Sequence, residues 1–517
     1  MRHNSQIKKV VVLAVWMLTL WPRYGAQAQH NATMYFMRDL PAVNMLNPAF
    51  QPEAGSIYFG IPLFSSIYLD GGVTLKGMNM GNLMMMNNKK NNIYLTPAAA
   101  NPAPYEGGYA NVDINLLNVG ILVEDMYFTL DVTAKARAEA AIPTEFIKMA
   151  WYGNAPYIDQ AISLNDLGGG GSAYTEIALG FSKDVVPERI TVGGKVKWLM
   201  GLAFVEVEAG KAAFLQTNRD WSMTISANPD IRIGGLLDEI PSDICGYKLA
   251  GKGLGVDVGF EIKNELFTAS GSIINVGAIR WRNVNHGNRA QGNLDTTFRG
   301  VAGSNLGTFI KSMNLEENLK KVMRGEMPSG FVGSPEDILR WTSPTATVGL
   351  AYPLNKHLVA GALAGVTVGQ YNSYPLFALS LNTRKHPING SLSYSYGHSH
   401  NVGMGLLFGR HGTQLHVICD NILAASYQTA QKINLRFGLN MLLGAPRQYG
   451  EKKKVWQQLN TTSSPTNPYK NAKKPAPLNT LSSPTATPVS KQPLNPLNTG
   501  SAKPAQDKQP LNPPGEK

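Results

Sequence analysis

An all-β fold is what this 517-residue sequence predicts: a transmembrane antiparallel β-barrel of about fourteen strands, with plug or loop helices and a disordered C-terminal tail. Three observations predict it. Period-two alternation recurs over stretches longer than the strands of a water-soluble sandwich. After residue 28 no apolar run reaches the ~18 residues a membrane helix needs. Charged residues make up only 16% of the chain while 52 residues are Gly, against about 25% charged in ordinary soluble domains. Lipid cannot hydrate backbone amides, so an alternating chain within it must close on itself.

Residues 1–28 read as a secretory signal. Arg2, Lys8 and Lys9 precede the apolar run Val10 to Trp21, and Ala26-Gln27-Ala28 supplies small residues for cleavage before Gln29. The run is too short for a comfortable membrane span. No Cys follows, which argues against a lipoprotein.

The body, 29–444, opens with a polar, proline-containing segment to residue 55. It includes Asn47, Pro48 and Phe50, the candidate plug residues. Candidate strands follow at 56–69, 107–123, 125–141, 173–183, 188–204, 206–226, 252–263, 266–282, 343–353, 356–370, 373–384, 387–398, 401–410, 412–421 and 431–443. Single-chain bacterial barrels have even strand numbers, so one of these fifteen is surplus. The sequence points to 56–69 as a plug segment, leaving fourteen, with twelve or sixteen as alternatives.

The clearest strand begins at Met126. Its even positions through Ala138 are all apolar, and the odd positions include Asp131, Lys135, Arg137 and Glu139. In 254–263, Leu254, Val256, Val258, Phe260 and Ile262 alternate with Gly255, Asp257, Gly259, Glu261 and Lys263. In 433–443, Ile433, Leu435, Phe437, Leu439, Met441 and Leu443 alternate with Asn434, Arg436, Gly438 and Asn440. These patterns, with Lys195 and Lys197, yield the candidate lumen-lining set: Asp131, Lys135, Arg137, Glu139, Lys195, Lys197, Asp257, Glu261 and Arg436. Such charges pair across neighbouring strands or hold a plug, or else some of them line a solute path. Tyr127, Trp198, Trp281 and Tyr352 suit interfacial girdles.

Between the strands, Gly168 to Gly171 reads as a flexible hairpin link, since no Lys-Ser/Thr follows to make a phosphate loop. Residues 77–106 are rich in Met and Asn and then in Pro and Ala, with the Met-rich part at 78–86. A short helix fits Pro143 to Trp151, with Phe146, Ile147 and Trp151 on one side. A longer amphipathic one fits 306–324, inside a gap long enough for a lid or plug.

Residues 445–517 carry 13 Pro, 11 basic and 3 acidic residues, and repeat Lys-Gln-Pro-Leu-Asn-Pro at 491–496 and 508–513. They read as a disordered arm, either a solvated linker or a contact to a periplasmic protein or peptidoglycan. The overall charge of +12 lies in the two ends; the body holds 32 basic and 32 acidic residues. A nucleic-acid-binding body is excluded on that balance.

Enzymatic and metal chemistry find little support. No Gly-x-Ser-x-Gly elbow accompanies the serines. His398 and His400, with His386, His411 and His416 nearby, read as loop or lumen histidines rather than metal ligands. No cofactor is expected. Whether Cys245 and Cys419 pair stays open.

Residues 35–69, with Tyr35 to Pro52 including Asn47-Pro48-Ala49, resemble the opening of an uncharacterised family of Gram-negative outer-membrane β-barrels, a domain of unknown function. Gly253 to Gly259, Ala269 to Trp281 and Gln414 to Asn421 support the resemblance, which spans about 35–444. Members look like distant relatives of FadL-type hydrophobic-substrate transporters and of PorV-like barrels of type IX secretion. The resemblance implies the barrel but no ligand. The expected role is passive passage of a small hydrophobic or amphiphilic solute; the alternative is a scaffold or shuttle in secretion or surface assembly. The expected partners are outer-membrane lipids and a hydrophobic small molecule, in the outer membrane with the tail periplasmic.

Overall fold

The computed structural model describes residues 31–73, 105–234, 249–281, 289–292, 294–299, 331–334, 337–369, 373–396, 400–425 and 432–445. The signal, the Met-rich run 78–86, the helix at 306–324, His398, Cys245 and the tail beyond Ala445 lie outside the described residues.

The wall begins with β1 (Ile57–Gly60) and β2 (Ile67–Val73), both pairing antiparallel with β3 (Tyr105–Val123). It continues through β4 (Met126–Pro143) and, after the short β5 (Ala161–Ser163), through β6 (Gly168–Val186) and β7 (Ile190–Glu208). Next come β8 (Phe214–Thr217), β9 (Ser222–Ala227) and β10 (Asp230–Gly234), then β11 (Gly251–Lys263) and β12 (Thr268–Trp281). β13 (Arg289–Gly292), β14 (Leu294–Arg299), β15 (Phe331–Ser334) and β16 (Ile338–Trp341) lead into β17 (Thr345–Pro353). The series ends with β18 (Leu358–Val368), β19 (Ser373–Thr383), β20 (Ile388–Tyr396), β21 (His400–Phe408), β22 (Gly412–Cys419) and β23 (Lys432–Leu443).

β23 pairs with both β1 and β2, at Ile57↔Leu443 and Ile67↔Phe437, which closes the ring. Counting β1 with β2, β10 with β11, β12 with β13, and β15 and β16 with β17 as single strands, the barrel has fourteen antiparallel strands. The segment 56–69 is therefore its first strand and not a plug piece. Its ladder breaks at 61–66, where Pro62 has no N–H to offer and Leu63 takes φ 67°. The surplus candidate is 206–226 instead. Gly210 (φ 84°) and Ala212 (φ 64°) turn the chain out of the wall after β7. β8 and β9 then join β5 and β14 in a separate four-stranded sheet. That sheet packs Leu215, Ile162 and Met223 against Met149 of α2 (Thr144–Tyr152), the short helix read from the sequence. The side chains of Ile147 and Trp151 are outside the described residues.

Two other readings are corrected. Gly168 to Gly171 is not a link but the start of β6, paired with β4 and β7. A Cβ at Gly170 would stand 2.8 Å from the Val205 carbonyl oxygen, so glycine lets three backbones converge there. Of the four aromatic residues assigned to girdles, Trp198 and Tyr352 face outward, but Tyr127 and Trp281 are buried. Trp281 stacks on Phe204 at 5.3 Å; Tyr127 shares the inward parity of Asp131.

Outward positions carry the apolar belt. Leu254 is 69% exposed and Val196 62%, whereas the intervening Lys195 and Lys197 are buried inside. An apolar exterior around a closed ladder is the arrangement that meets acyl chains without an unsatisfied backbone group. Among the described residues no helix is long and apolar enough to cross a membrane; the strands do so. At one end the connections are tight, as at Glu124-Asp125, where Glu124 takes φ 55°. At the other they include the long excursions that build the second sheet. The chain enters β1 and leaves β23 at the short-turn end.

Candidate functional site

The lumen is occupied by residues 31–55. This inner segment contains a single helical turn, α1 (Ala32–Tyr35), and a 3-10 turn, Pro41–Met45, with proline at its first position. Met34, Leu40, Val43 and Phe50 pack with wall residues Leu363, Leu376, Leu407 and Leu442. Tyr35 meets the Phe50 ring edge-on at 5.3 Å, and the Arg38 guanidinium lies 3.8 Å over Phe50.

Polar bonds register the segment against many strands. The Thr33 amide donates to Asp420 Oδ1 (2.8 Å), and Ser391 Oγ donates to the Thr33 carbonyl (2.9 Å). Ser272 Oγ donates to the Leu46 carbonyl (2.8 Å). Asn47 acts at both ends of its side chain. Its Oδ1 accepts from the Ala49 amide (2.9 Å), a local Asx turn, and its Nδ2 donates to the Phe260 and Gly271 carbonyls of β11 and β12 (3.2 Å each). The wall recedes there to admit it. A Cβ on Gly259 would stand 2.1 Å from Asn47 Oδ1, and one on Gly193 would stand 2.4 Å from the Pro48 carbonyl oxygen. Asn47-Pro48-Ala49 is thus a wedge fitted over bare backbone.

Ionic contacts fasten the end near the short turns. Arg38 pairs with Glu261 at 3.0 Å, and Glu53 approaches Lys263 at 3.8 Å. Asp39 accepts from the Lys385 amide (2.7 Å) and Asn389 Nδ2 (3.0 Å). Burial alone would raise the Glu53 carboxyl, but Lys263, Arg38, Arg384 and Lys385 hold it below its ordinary value near 4.5. Burial raises Asp39, with the Lys385 amide offsetting only part of this. The signs differ. Glu53 contributes stability above its unfolded pKa and loses it as pH falls through the depressed folded value; acidification instead relieves the cost of an ionised Asp39. Between about pH 7 and about pH 3, amide exchange of 31–55, corrected for intrinsic rates, should therefore lose protection more steeply in the wild type than in Glu53→Gln. Equal slopes would remove Glu53 from the anchor.

Above this segment lies a cavity of about 100 Å³. Its charged wall carries five basic residues, Lys135, Arg137, Lys195, Lys197 and Arg436, and four acidic ones, Asp113, Asp131, Glu176 and Asp257. Lys135 pairs with Glu176 (2.9 Å), Arg137 with Asp113 (2.5 Å), Lys195 with Asp131 (2.6 Å) and Lys197 with Asp257 (2.7 Å). Asn275 sits at their centre with φ 58°. Its Oδ1 accepts from Lys197 (2.8 Å) and Lys135 (3.4 Å), and its amide donates to Asp257 Oδ1 (2.6 Å). The rest of the lining is mixed: Ile274, Leu363, Leu376 and Leu46 of the inner segment are apolar, and Thr345, Thr347 and Thr367 stand among them.

Seven of the nine residues singled out in the sequence therefore border this cavity. Glu261 instead anchors Arg38, and Glu139 stands higher on β4, opposite Tyr109 and Gly170. Asp113 and Glu176 were missed. Both could have been found by carrying the inward parity of β4 across to β3 and β6, where Asp113 lies opposite Lys135 and Glu176 opposite Thr133. Asn275 has no comparable signal, because its place depends on a backbone conformation that few non-glycine residues adopt. Among the described residues no group of three His, Cys, Asp or Glu could hold a metal ion. His400 lies beside Tyr394, and His416 is buried within the wall.

A family model described as a family of unknown function, DUF5723, matches residues 48–420. No curated protein matches the sequence. Among solved structures, a Pseudomonas aeruginosa FadL homologue aligns with TM-score 0.37 and 11% identity, over 80% of this chain and 98% of that one. The Ralstonia pickettii toluene transporter TbuX aligns with TM-score 0.39 and 9% identity, over 78% and 94%. The P. putida toluene transporter TodX aligns with TM-score 0.35 and 10% identity, over 81% and 96%. These are similarities of barrel architecture, from which nothing about this chain's cargo follows.

Proposed function

Since the chain belongs to DUF5723, a family of unknown function, we propose its role from its own barrel: a non-enzymatic outer-membrane protein that passes a small amphiphilic solute through a lumen closed by residues 31–55. In this reading the plug is held by Asn47, Pro48 and Phe50, and the charges of the cavity wall set which solutes enter.

One observation carries the proposal, the mixed lining of the cavity, which sets paired charges beside Ile274, Leu363 and Leu376. A purely hydrophobic cargo would have to pass paired ammonium and carboxylate groups, which give it nothing and are costly to desolvate. A purely ionic one would face Leu363, Leu376 and Ile274. An amphiphile satisfies both kinds of lining. At about 100 Å³ the cavity has room for a head group and not for a chain, so passage requires the inner segment to shift.

The test is flux in liposomes. Purified protein is expected to pass a short-chain fluorescent amphiphile faster than protein-free vesicles do, and deletion of 31–50 should raise both this flux and planar-bilayer conductance. Absence of passage of any solute, in both intact and deleted protein, would overturn the reading and leave a scaffold in secretion or surface assembly.

A further inference from the structure

The ion pairs around the cavity leave one charge over. Four of its five basic residues each have a carboxylate within 4 Å, whereas Arg436 has none among the described residues. Its Nη1 donates to Ser66 Oγ (2.7 Å) and its Nη2 to Asn31 Oδ1 (3.1 Å), both neutral acceptors. Its Nε has no hydrogen-bond partner among the described residues. The guanidinium lies 4.3 Å over the Tyr68 ring, and the residue is only 6% exposed. Asp113 and Asp420 act on it from beyond ion-pair distance; a buried guanidinium so placed is costly, and neutral acceptors offset that only in part.

Resting on the amphiphile reading, and naming the chemistry of its head group, we propose that Arg436 is the docking point of an oxyanion, a carboxylate or phosphate, in the cavity. The site is built for one. Arg436 belongs to β23, a rigid strand of the closed ring, and the Tyr68 face holds its guanidinium from one side. The planar fork matches the two oxygens of a carboxylate or phosphate. The paired lysines nearby give no competing site, because each is already committed to an acid. Ser66 and Asn31 are acceptors that an oxyanion replaces with a stronger one, and their own polar atoms can then turn toward the ligand. The cavity volume of about 100 Å³ admits a group of this size. The formal excess of one positive charge among the ionisable residues lining the cavity favours one negative charge in it.

The experiment uses the full chain in a neutral detergent, with bound probes counted by native mass spectrometry and folding checked by heat-modifiable gel mobility. The probes are decyl phosphate, decanoate, decanol and inorganic phosphate. The two chain-borne oxyanions are expected to bind at least about tenfold more tightly than decanol, the scale of a charge-assisted hydrogen bond. Arg436→Gln should abolish that preference. Arg436→Lys, which keeps the charge and loses the fork, should retain part of it and serves as the second variant should the glutamine form not fold. Inorganic phosphate binding as tightly as decyl phosphate, with the same dependence on Arg436, would support the oxyanion site while overturning the amphiphile as its source. Decanol binding as well as decyl phosphate, or either variant binding all probes like the wild type, would overturn the site and leave the transport reading standing.

Discussion

Gly193→Ala is expected to yield a closed barrel whose inner segment no longer seats. The new Cβ would stand 2.4 Å from the Pro48 carbonyl oxygen and 2.5 Å from its carbon, so the obstacle is backbone on both sides. Pro48 cannot rotate away, because its neighbour Asn47 is tied to two strand carbonyls. Overpacking of this kind costs about 1–3 kcal/mol, enough to raise the unseated population by roughly five- to a hundred-and-fifty-fold. Gly255→Ala is the control on the same inward parity, since its Cβ would meet nothing closer than 3.5 Å. Proteolysis within 31–55 and single-channel conductance should both rise in the first variant and stay at wild-type levels in the second. Identical behaviour of the two would show that the wedge is not what seals the lumen.

A larger loss of stability is expected from Lys197→Met. Lys197 lies 2.7 Å from Asp257 and 3.6 Å from Glu176, and donates to Asn275. Methionine keeps the length of the side chain and removes the ammonium, leaving Asp257 buried at 2% exposure with, among the described residues, only the Asn275 amide bonded to its carboxylate. Removing one partner of a buried pair costs about 3–5 kcal/mol. The double variant Lys197→Met with Asp257→Asn removes the stranded charge and should recover a large part of that. Thermal unfolding of the refolded barrel, followed by heat-modifiable mobility, reads both. If the single variant unfolds like the wild type, water entering from the cavity already screens these groups and the charge network is not structural.

Much of the barrel was legible because side-chain direction in a strand is a local property. The pleat alone puts Asp131, Lys135 and Arg137 on one face and Phe128, Leu130 and Val132 on the other. The short helix after Pro143 was legible from another local signal, the apolar side made by Phe146, Ile147 and Trp151. Errors arose where a local signal had two readings. Pro62 breaks the ladder of the first strand without removing it from the wall, so 56–69 looked like a plug piece. The alternation of 206–226 continued past Gly210 into a different sheet. A run of four glycines suggests a link, yet here it lets neighbouring strands close up.

By itself, then, the sequence determined that the chain is a closed membrane barrel, that most of the charges on its clearest strands face inward, and that an Asn-Pro-Ala element lies in the segment before the first strand. Only the tertiary structure decided who pairs with whom. Lys197 finds Asp257, Arg38 finds Glu261 across 223 positions, and Arg436 has no carboxylate at ion-pair distance among the described residues. The reason is that facing follows from two neighbouring residues, whereas partnership follows from register and ring closure, which bring together atoms that the chain separates by hundreds of residues.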